Sequence, residues 1–143
     1  MKIRSLVLAT ACAALAGVAA PGSIMAADPT TQAETVKTAF KHAIANVPGK
    51  TLTAVVVDYA PGAQSSPHRH GAAFVVAYVL SGAIRSKVDD GKEQVFHAGE
   101  NWAEAPGAHH LVSENASDTE PARLLAIFVV DSNQDQLVTF DKK

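Results

Sequence analysis

The most informative stretch of this 143-residue chain is Gly62-Ala-Gln-Ser-Ser-Pro-His68-Arg69-His70, which places two histidines two residues apart. In an extended segment, side chains at positions i and i+2 project from the same face, so both imidazoles can reach one metal ion about 2 Å from each nitrogen. A third ligand must then come from another strand. Imidazole binds zinc, iron, copper and nickel alike, so the residue types do not select the metal.

The sequence around this stretch predicts an all-β domain. From residue 51 onward, short runs rich in β-branched residues alternate with glycine, proline and polar turns. Many short strands of even spacing are typical of a sandwich or a jelly-roll barrel. The predicted strands cover Thr51 to Asp58, Phe74 to Leu80, Ala83 to Val88, Glu93 to Phe96, Asn101 to Glu104, His110 to Glu114, Ala122 to Val130 and Gln136 to Phe140.

Two motifs in this region resemble those of the cupins. The first cupin motif is a glycine, five residues, His-x-His, three or four residues, a glutamate, six residues and a glycine. This chain has Gly62, His68-Arg69-His70, Val75 at the place of the glutamate, and Gly82. The second motif is similar to Gly99, Ala105-Pro106-Gly107 and His110, with Asn115 one place later than in the family.

The resemblance implies a cupin jelly-roll β-barrel that holds one divalent transition metal, which can be Fe, Mn, Zn, Ni or Cu. His68, His70 and His110 are the ligands that it carries over to this sequence. Cupins often supply a carboxylate where this chain has Val75, which cannot coordinate a metal. Either three histidines bind the metal, or another group substitutes for the missing glutamate.

Glu104 is the first candidate for that substitution. On the predicted strand Asn101 to Glu104, Trp102 and Glu104 share a face, and the short turn Ala105-Pro106-Gly107 leads back toward His110. An inward Glu104 can act as a fourth ligand, as a partner of an imidazole, or as a general base and thus a catalytic residue. The alternative is a solvated acid at a strand end.

The other histidines and acids are less suitable as metal ligands. Glu114 shares strand parity with His110 but lies about 13 Å along the strand, which favours a rim or surface acid. His109 is expected to point away from its neighbour His110. His97 reads as a turn residue and His42 as part of an N-terminal helix, and neither has ligand spacing.

Residues 1–27 are typical of a secretory signal peptide. Lys2 and Arg4 precede an apolar, alanine-rich run that ends before a cleavage point after Ala26 or Ala27. The run is short for a membrane anchor, and Cys12 lies early for a lipoprotein site. We therefore expect a periplasmic or secreted protein. Cleavage removes the only cysteine and leaves ten basic against fourteen acidic residues, a net charge of −4.

The segment 28–50 is predicted to form a short N-terminal helix ahead of the barrel, which occupies residues 51–143. Thr31 and Glu34 have the spacing of a capping box, and Pro48-Gly49 provides a stop. Apolar residues follow at helical intervals in Val36, Phe40, Ile44 and Val47.

Composition narrows the possible functions. A hydrophobic fraction of 48%, with 18% charged residues and a net charge of −2, indicates an ordinary globular protein. No basic stripe is present, so nucleic acid is a poor candidate partner, and no membrane contact is expected after signal cleavage. The sequence also lacks a Gly-x-Ser-x-Gly elbow and a phosphate-binding glycine loop.

Two classes of function remain open. A metal with three protein ligands keeps positions for water, oxygen or substrate, which favours a metal-dependent oxidoreductase, dioxygenase-like, acting on a small organic molecule. The alternative is a non-catalytic barrel that binds or senses a small molecule or a metal. A metal that only stabilises the fold is a third possibility. The resemblance to cupins, rather than any residue, suggests a homodimer.

Overall fold

The computed structural model describes residues 34–142, and these residues form strands and turns without a helix. None of the described residues belongs to a helix that could cross a membrane. The predicted signal peptide, residues 1–27, lies outside the described residues. The strands are β1 (Thr35–Ala43), β2 (Lys50–Tyr59), β3 (Gln64–Ser65), β4 (His68–Arg69), β5 (Phe74–Ser81), β6 (Ala83–Val88), β7 (Gln94–His97), β8 (Asn101–Glu104), β9 (His109–Asn115), β10 (Ala122–Asp131) and β11 (Thr139–Phe140).

The strands form two antiparallel sheets that face each other. Sheet A has the order β1-β2-β10-β5-β8, and sheet B has the order β11-β4-β9-β6-β7 with β3 paired to β9. This arrangement confirms the all-β jelly-roll prediction. The predicted longer strands coincide with β2 and with β5 to β10. These strands could be predicted because their residues alternate between a buried and a more exposed face.

The predicted N-terminal helix is wrong for the part that the structure describes. Thr35–Ala43 forms β1, which pairs along its length with β2 at the edge of sheet A. The register of β1 contains one extra residue at Ala39, so Val36 and Phe40 lie on opposite faces of the strand and their four-residue spacing does not mark a common face. As a strand, the segment forms backbone hydrogen bonds with β2, whereas a short helix without a packing partner is only marginally stable. Pairing with β2 therefore outweighs the local helical pattern.

The core lies between the sheets and consists of small and branched side chains. The largest side chains that are fully buried are Phe128, Ile84, Val75, Val79 and Val130. The chain passes from sheet A to sheet B at Ser81-Gly82, where Gly82 has a φ of +70°. A Cβ atom there would lie 2.7 Å from the carbonyl oxygen of Pro121, so this crossing requires glycine on both conformational and steric grounds.

Candidate metal centre

The structure brings the three predicted histidines together at one end of the core. His68 on β4 pairs directly with His110 on β9, and His70 follows immediately after β4. All three side chains are buried, and one nitrogen of each ring lies within 4.8 Å of the corresponding nitrogens of the other two. This is a geometry that can hold a metal ion.

Each imidazole has its second nitrogen occupied by a neighbouring oxygen. His68 Nδ1 lies 2.7 Å from the carbonyl oxygen of Ser66, and His70 Nδ1 lies 2.9 Å from that of Leu137. His110 Nε2 lies 2.9 Å from Ser86 Oγ. When these nitrogens donate, the opposite nitrogens keep their lone pairs for the centre, which is how protein surroundings usually orient metal-binding histidines.

Glu104 completes the group from the neighbouring strand. β8 pairs with β5 in a register that sets Glu104 directly opposite Val75, the residue at the place of the cupin glutamate. Glu104 is 2% exposed, so the solvated-acid interpretation is wrong. The predicted common face with Trp102 is also present, since Trp102 Nε1 donates to Glu104 Oε1 over 3.1 Å.

The carboxylate of Glu104 touches two of the histidines without a hydrogen bond to either. Its Oε1 lies 3.2 Å from His110 Nδ1, and its Oε2 lies 3.6 Å from His70 Nε2. Oε2 is the buried side-chain polar atom without a hydrogen-bond partner among the described residues. Buried polar atoms are rarely left unpaired. A cation among these atoms would satisfy the orphaned oxygen and the facing lone pairs together, so the donor set fits a metal ion.

Burial keeps the imidazoles neutral. Desolvation lowers the pKa of His68 and of His70, partly offset by their backbone hydrogen bonds. The pKa of His110 falls to about 3, first through desolvation and then through repulsion from the other two histidines. Desolvation raises the pKa of Glu104, and the hydrogen bond from Trp102 opposes that shift. Neutral imidazoles are the form that binds metals.

A β-bulge in β9 determines which of its residues face the centre. Val88 pairs with His110 but Lys87 pairs with Val112, so β9 contains one extra residue at Leu111. The predicted parity of Glu114 with His110 is therefore wrong, and Ser113 is buried instead. The extra residue also explains why Asn115 stands one place late in the second motif.

The remaining predicted residues lie away from the centre. Glu114 is a rim acid, as expected, with Oε1 at 2.5 Å from Arg85 Nη1. His109 points away from His110, and its Nε2 lies 2.8 Å from Asp141 Oδ2. His97 contacts Glu100 at the turn after β7, and the ring of His42 on β1 stacks on Phe40.

The sequence interpretation did not identify two groups that contribute to the site. Tyr59 Oη hydrogen-bonds to Ser65 Oγ and Ser113 Oγ over 2.8 and 2.9 Å, at the wall of the same cavity. The C-terminal segment 137–141 provides the Leu137 carbonyl for His70 and the Phe140 ring, whose centroid is 5.8 Å from that of His68. Hydroxyl residues and a weak final strand carry no distinctive spacing, so no sequence signal pointed to either group.

A cavity of about 90 Å³ adjoins the centre between the two sheets. Its wall combines the three histidines and Glu104 with apolar side chains of β2, β5 and β10, and Val138 and Phe140 reach it from the C-terminal segment. A groove bordered by Glu34, Ser65, Ser113 and Phe140, which also line the cavity, leads outward to solvent.

Several solved structures are similar to this chain in fold. An uncharacterized conserved protein with a double-stranded β-helix domain from Klebsiella pneumoniae superposes with a TM-score of 0.60 at 17% identity, over 81% of this chain and 90% of that one. An oxalate oxidase gives 0.58 at 22% identity, over 80% of this chain and 57% of that one. DMSP lyase DddQ from Ruegeria pomeroyi gives 0.53 at 17% identity, over 62% and 42% of the two chains. At these identities the likeness concerns the fold.

A search of curated protein sequences finds no significant match to this chain. The family comparison is positive, since the model of the Cupin domain family matches residues 55–128, more than half of the chain. That range includes β4, β8 and β9, and so contains the three histidines and Glu104. This chain belongs to the cupin family.

Proposed function

We propose that this protein is an exported cupin that binds one divalent transition metal through His68, His70, His110 and Glu104, and acts as a metal-dependent oxidoreductase, dioxygenase-like, on a small organic molecule. The observation that carries the metal proposal is the placement of Glu104. Its buried, unpartnered Oε2 faces His70, and its backbone lies opposite Val75, so a carboxylate is present although the motif position lacks one.

The chain's own residues would fix the geometry of such a centre. Ser66, Leu137 and Ser86 hold the three imidazole rings by their outer nitrogens, and Trp102 holds Glu104 by Oε1. A bound metal would supply Lewis acidity and open positions for oxygen or substrate. The apolar wall of the cavity excludes bulk water, while Glu104 Oε2 remains free to bind the cation or to accept a proton.

Metal content measured by elemental mass spectrometry tests the centre. We expect near-stoichiometric metal in the wild-type protein, loss of that metal in His70→Ala, and strong depletion in Glu104→Gln. His97→Ala is the matched control, because His97 lies at the exposed end of β7 and the variant should retain the metal. A wild-type protein that binds no metal, even after incubation with Fe²⁺, Mn²⁺ and Zn²⁺ in turn, would refute the proposal.

The second candidate is a non-catalytic barrel that binds a small molecule or a metal. One observation favours it: apart from the histidines and Glu104, the ionisable residues that line the cavity are Glu34 and Tyr59. Tyr59 already shares hydrogen bonds with two serines, and burial raises its pKa. If Glu104 is a metal ligand, few groups remain to move protons during a reaction.

Recovery of ligand separates the two candidates. Metal-loaded protein is incubated aerobically with a library of small organic molecules, and the compounds are analysed by mass spectrometry. An oxidised product that forms with wild-type protein but not with His70→Ala supports the enzyme. A ligand that co-purifies unchanged with the protein supports the binding barrel.

Export is a separate part of the proposal and rests on residues 1–27. Expression of the full chain in a Gram-negative host, followed by fractionation and intact-mass measurement, tests it. We expect periplasmic protein that begins at Ala27 or Asp28. Full-length protein in the cytoplasm would contradict the export signal.

A further inference from the structure

The wall of the cavity restricts the charge of its ligand. Most of the wall is apolar, formed by residues such as Val55, Val57, Ala77, Leu124, Ala126 and Phe128. Neither lysine nor arginine occurs among the described residues that line it, and the two acids present are Glu34 and Glu104. A ligand in the cavity therefore meets no positively charged lysine or arginine side chain.

A bound divalent ion would add only a small net positive charge to the cavity wall. Imidazoles bind a metal in their neutral form and a carboxylate binds it as the anion, so a divalent ion held by three histidines and Glu104 would give the centre a net charge of +1. One negative group on a ligand is compensated by that charge. A second would lie uncompensated against apolar side chains and near Glu34, and burying an unpaired charge is costly.

The cluster of Tyr59, Ser65 and Ser113 provides one hydrogen bond for a ligand. Three hydroxyl groups supply three protons, but the two contacts within the cluster use two of them. The third proton remains for an outside acceptor. Ser65 and Ser113 both border the cavity and the groove that leads to it, so that acceptor can belong to a bound molecule.

The size of the cavity limits the ligand to a few heavy atoms. Its volume of about 90 Å³ lies well below the roughly 300 to 1,000 Å³ of most small-molecule sites. A compact ring or a short branched chain fits this space, whereas a larger molecule would have to extend into the groove.

We propose that the cavity selects a compact molecule with an apolar body, a hydrogen-bond acceptor directed at the hydroxyl cluster of Tyr59, Ser65 and Ser113, and no more than one negative charge. This ligand class rests on the proposed function, because the metal centre forms one wall of the cavity. It excludes dicarboxylates, and it makes the hydroxyl cluster a specificity determinant rather than a catalytic group.

Four probes test the ligand class: cyclopentanone and cyclopentane, which are compact, the dianion glutarate, and glutaramate, a monoanion with the same number of heavy atoms as glutarate. Binding is followed by amide chemical shifts of the zinc-loaded protein, since zinc is redox-inert. We expect cyclopentanone to bind most tightly, and glutarate to bind at least about tenfold more weakly than glutaramate, as an uncompensated buried charge requires. Glutarate that binds as tightly as glutaramate would overturn the proposal.

A variant without the cluster tests the role of its hydroxyl groups. Tyr59→Phe, Ser65→Ala and Ser113→Ala together remove three oxygens with little change of shape. Loss of one hydrogen bond of about 1 kcal/mol predicts a roughly fivefold weaker affinity for cyclopentanone and an unchanged affinity for cyclopentane. An equal effect on both probes would contradict the acceptor site.

The outcomes distinguish this inference from the metal proposal. Zinc binding is titrated first, and its failure concerns the metal centre alone. The titrations are then repeated with metal-free protein, where no positive charge faces the ligand and glutarate should bind even more weakly. If the triple variant does not fold, the comparison of glutaramate with glutarate in wild-type protein still decides the ligand class.

Discussion

At the scale of single residues, Val75 and Glu104 occupy neighbouring positions from which one carboxylate could reach the histidines. The two residues are paired across β5 and β8, and both side chains are buried at the same wall of the cavity. We predict that Glu104→Val loses metal affinity and that Val75→Glu combined with Glu104→Val regains most of it. Zinc affinity measured by competition with a chelator checks both variants.

The single variant Val75→Glu serves as the control for this exchange. It places two carboxylates side by side in a buried site, where like charges repel. We expect a lower melting temperature for the metal-free form and recovery upon addition of zinc. A double variant that binds no better than Glu104→Val would show that the position on β8 is essential.

The buried histidines also predict how the metal-free protein responds to acid. Their folded pKa values lie below 6.5, and that of His110 lies at about 3, so the unfolded state binds more protons across this interval. Stability from these residues is therefore present above pH 6.5 and is lost as the pH falls toward 3.

Glu104 acts in the opposite direction over a different interval. Its raised pKa means that the folded carboxyl holds a proton that the unfolded one has released above pH 4.5. The contribution of Glu104 to stability therefore rises as the pH falls to about 4.5 and is constant below that value. Of these four residues, only the histidines continue to lose stability at lower pH. We expect the melting temperature in chelator to fall most steeply below pH 4.5. A melting temperature that stays constant between pH 6.5 and 3 would contradict the neutral buried histidines.

At the scale of secondary-structure elements, the C-terminal segment 137–141 supports the metal centre. The Leu137 carbonyl accepts from His70 Nδ1, Phe140 packs near His68, and the amide of Asp141 donates to the carbonyl of Pro67. We predict that ending the chain at Gln136 lowers zinc affinity by about 10- to 100-fold, the range typical when a partner of a ligand is lost. Ending it at Asp141 is the control and should leave zinc affinity unchanged.

The elements also show what sequence can predict in this fold. The longer strands follow from alternation of buried and exposed residues, and the meeting of His68 with His70 follows from their spacing. β1 and the bulge at Leu111 do not, because each depends on the strand that it pairs with. Glu104 was identified as a candidate from its place near His110, but its position opposite Val75 required the register of β5 and β8.

At the scale of the whole molecule, the outer face of sheet A remains uncovered among the described residues. Phe74, Tyr78 and Leu80 are about 40% exposed on β5, and the outward residues of β10 are half-buried aliphatic side chains. On β2, β5 and β10 the charges of this face occur at its two ends as ion pairs, Lys50 with Asp131 and Arg123 with Asp58, while Lys37 of the edge strand β1 lies opposite Val56. The part of the outer face formed by β2, β10 and β5 is therefore apolar in the middle and neutral at its ends.

We propose that a second copy of this chain covers this face. Two copies of one surface can associate only if the surface does not repel its own copy. An apolar patch flanked by ion pairs, which carry no net charge, meets this condition. Light scattering after size exclusion should give a dimer for wild-type protein and a monomer for Tyr78→Lys with Ile127→Lys. Val95→Lys, on the exposed β7 of sheet B, is the control and should stay dimeric. A monomeric wild-type protein at high concentration would refute the dimer.

The pairing of Val75 with Glu104 has a consequence for how metal sites are inferred from aligned sequences. Neighbours across a β-ladder are about 4.8 Å apart, closer than the 6.6 to 7 Å between alternate residues of one strand. A coordinating carboxylate can therefore be supplied by the neighbouring strand while the set of ligands stays the same. The aligned motif position then lacks an acid although the barrel still contains one beside the histidines. Homologues without an acid in the first motif are best inspected at the residue that faces that column across the sheet.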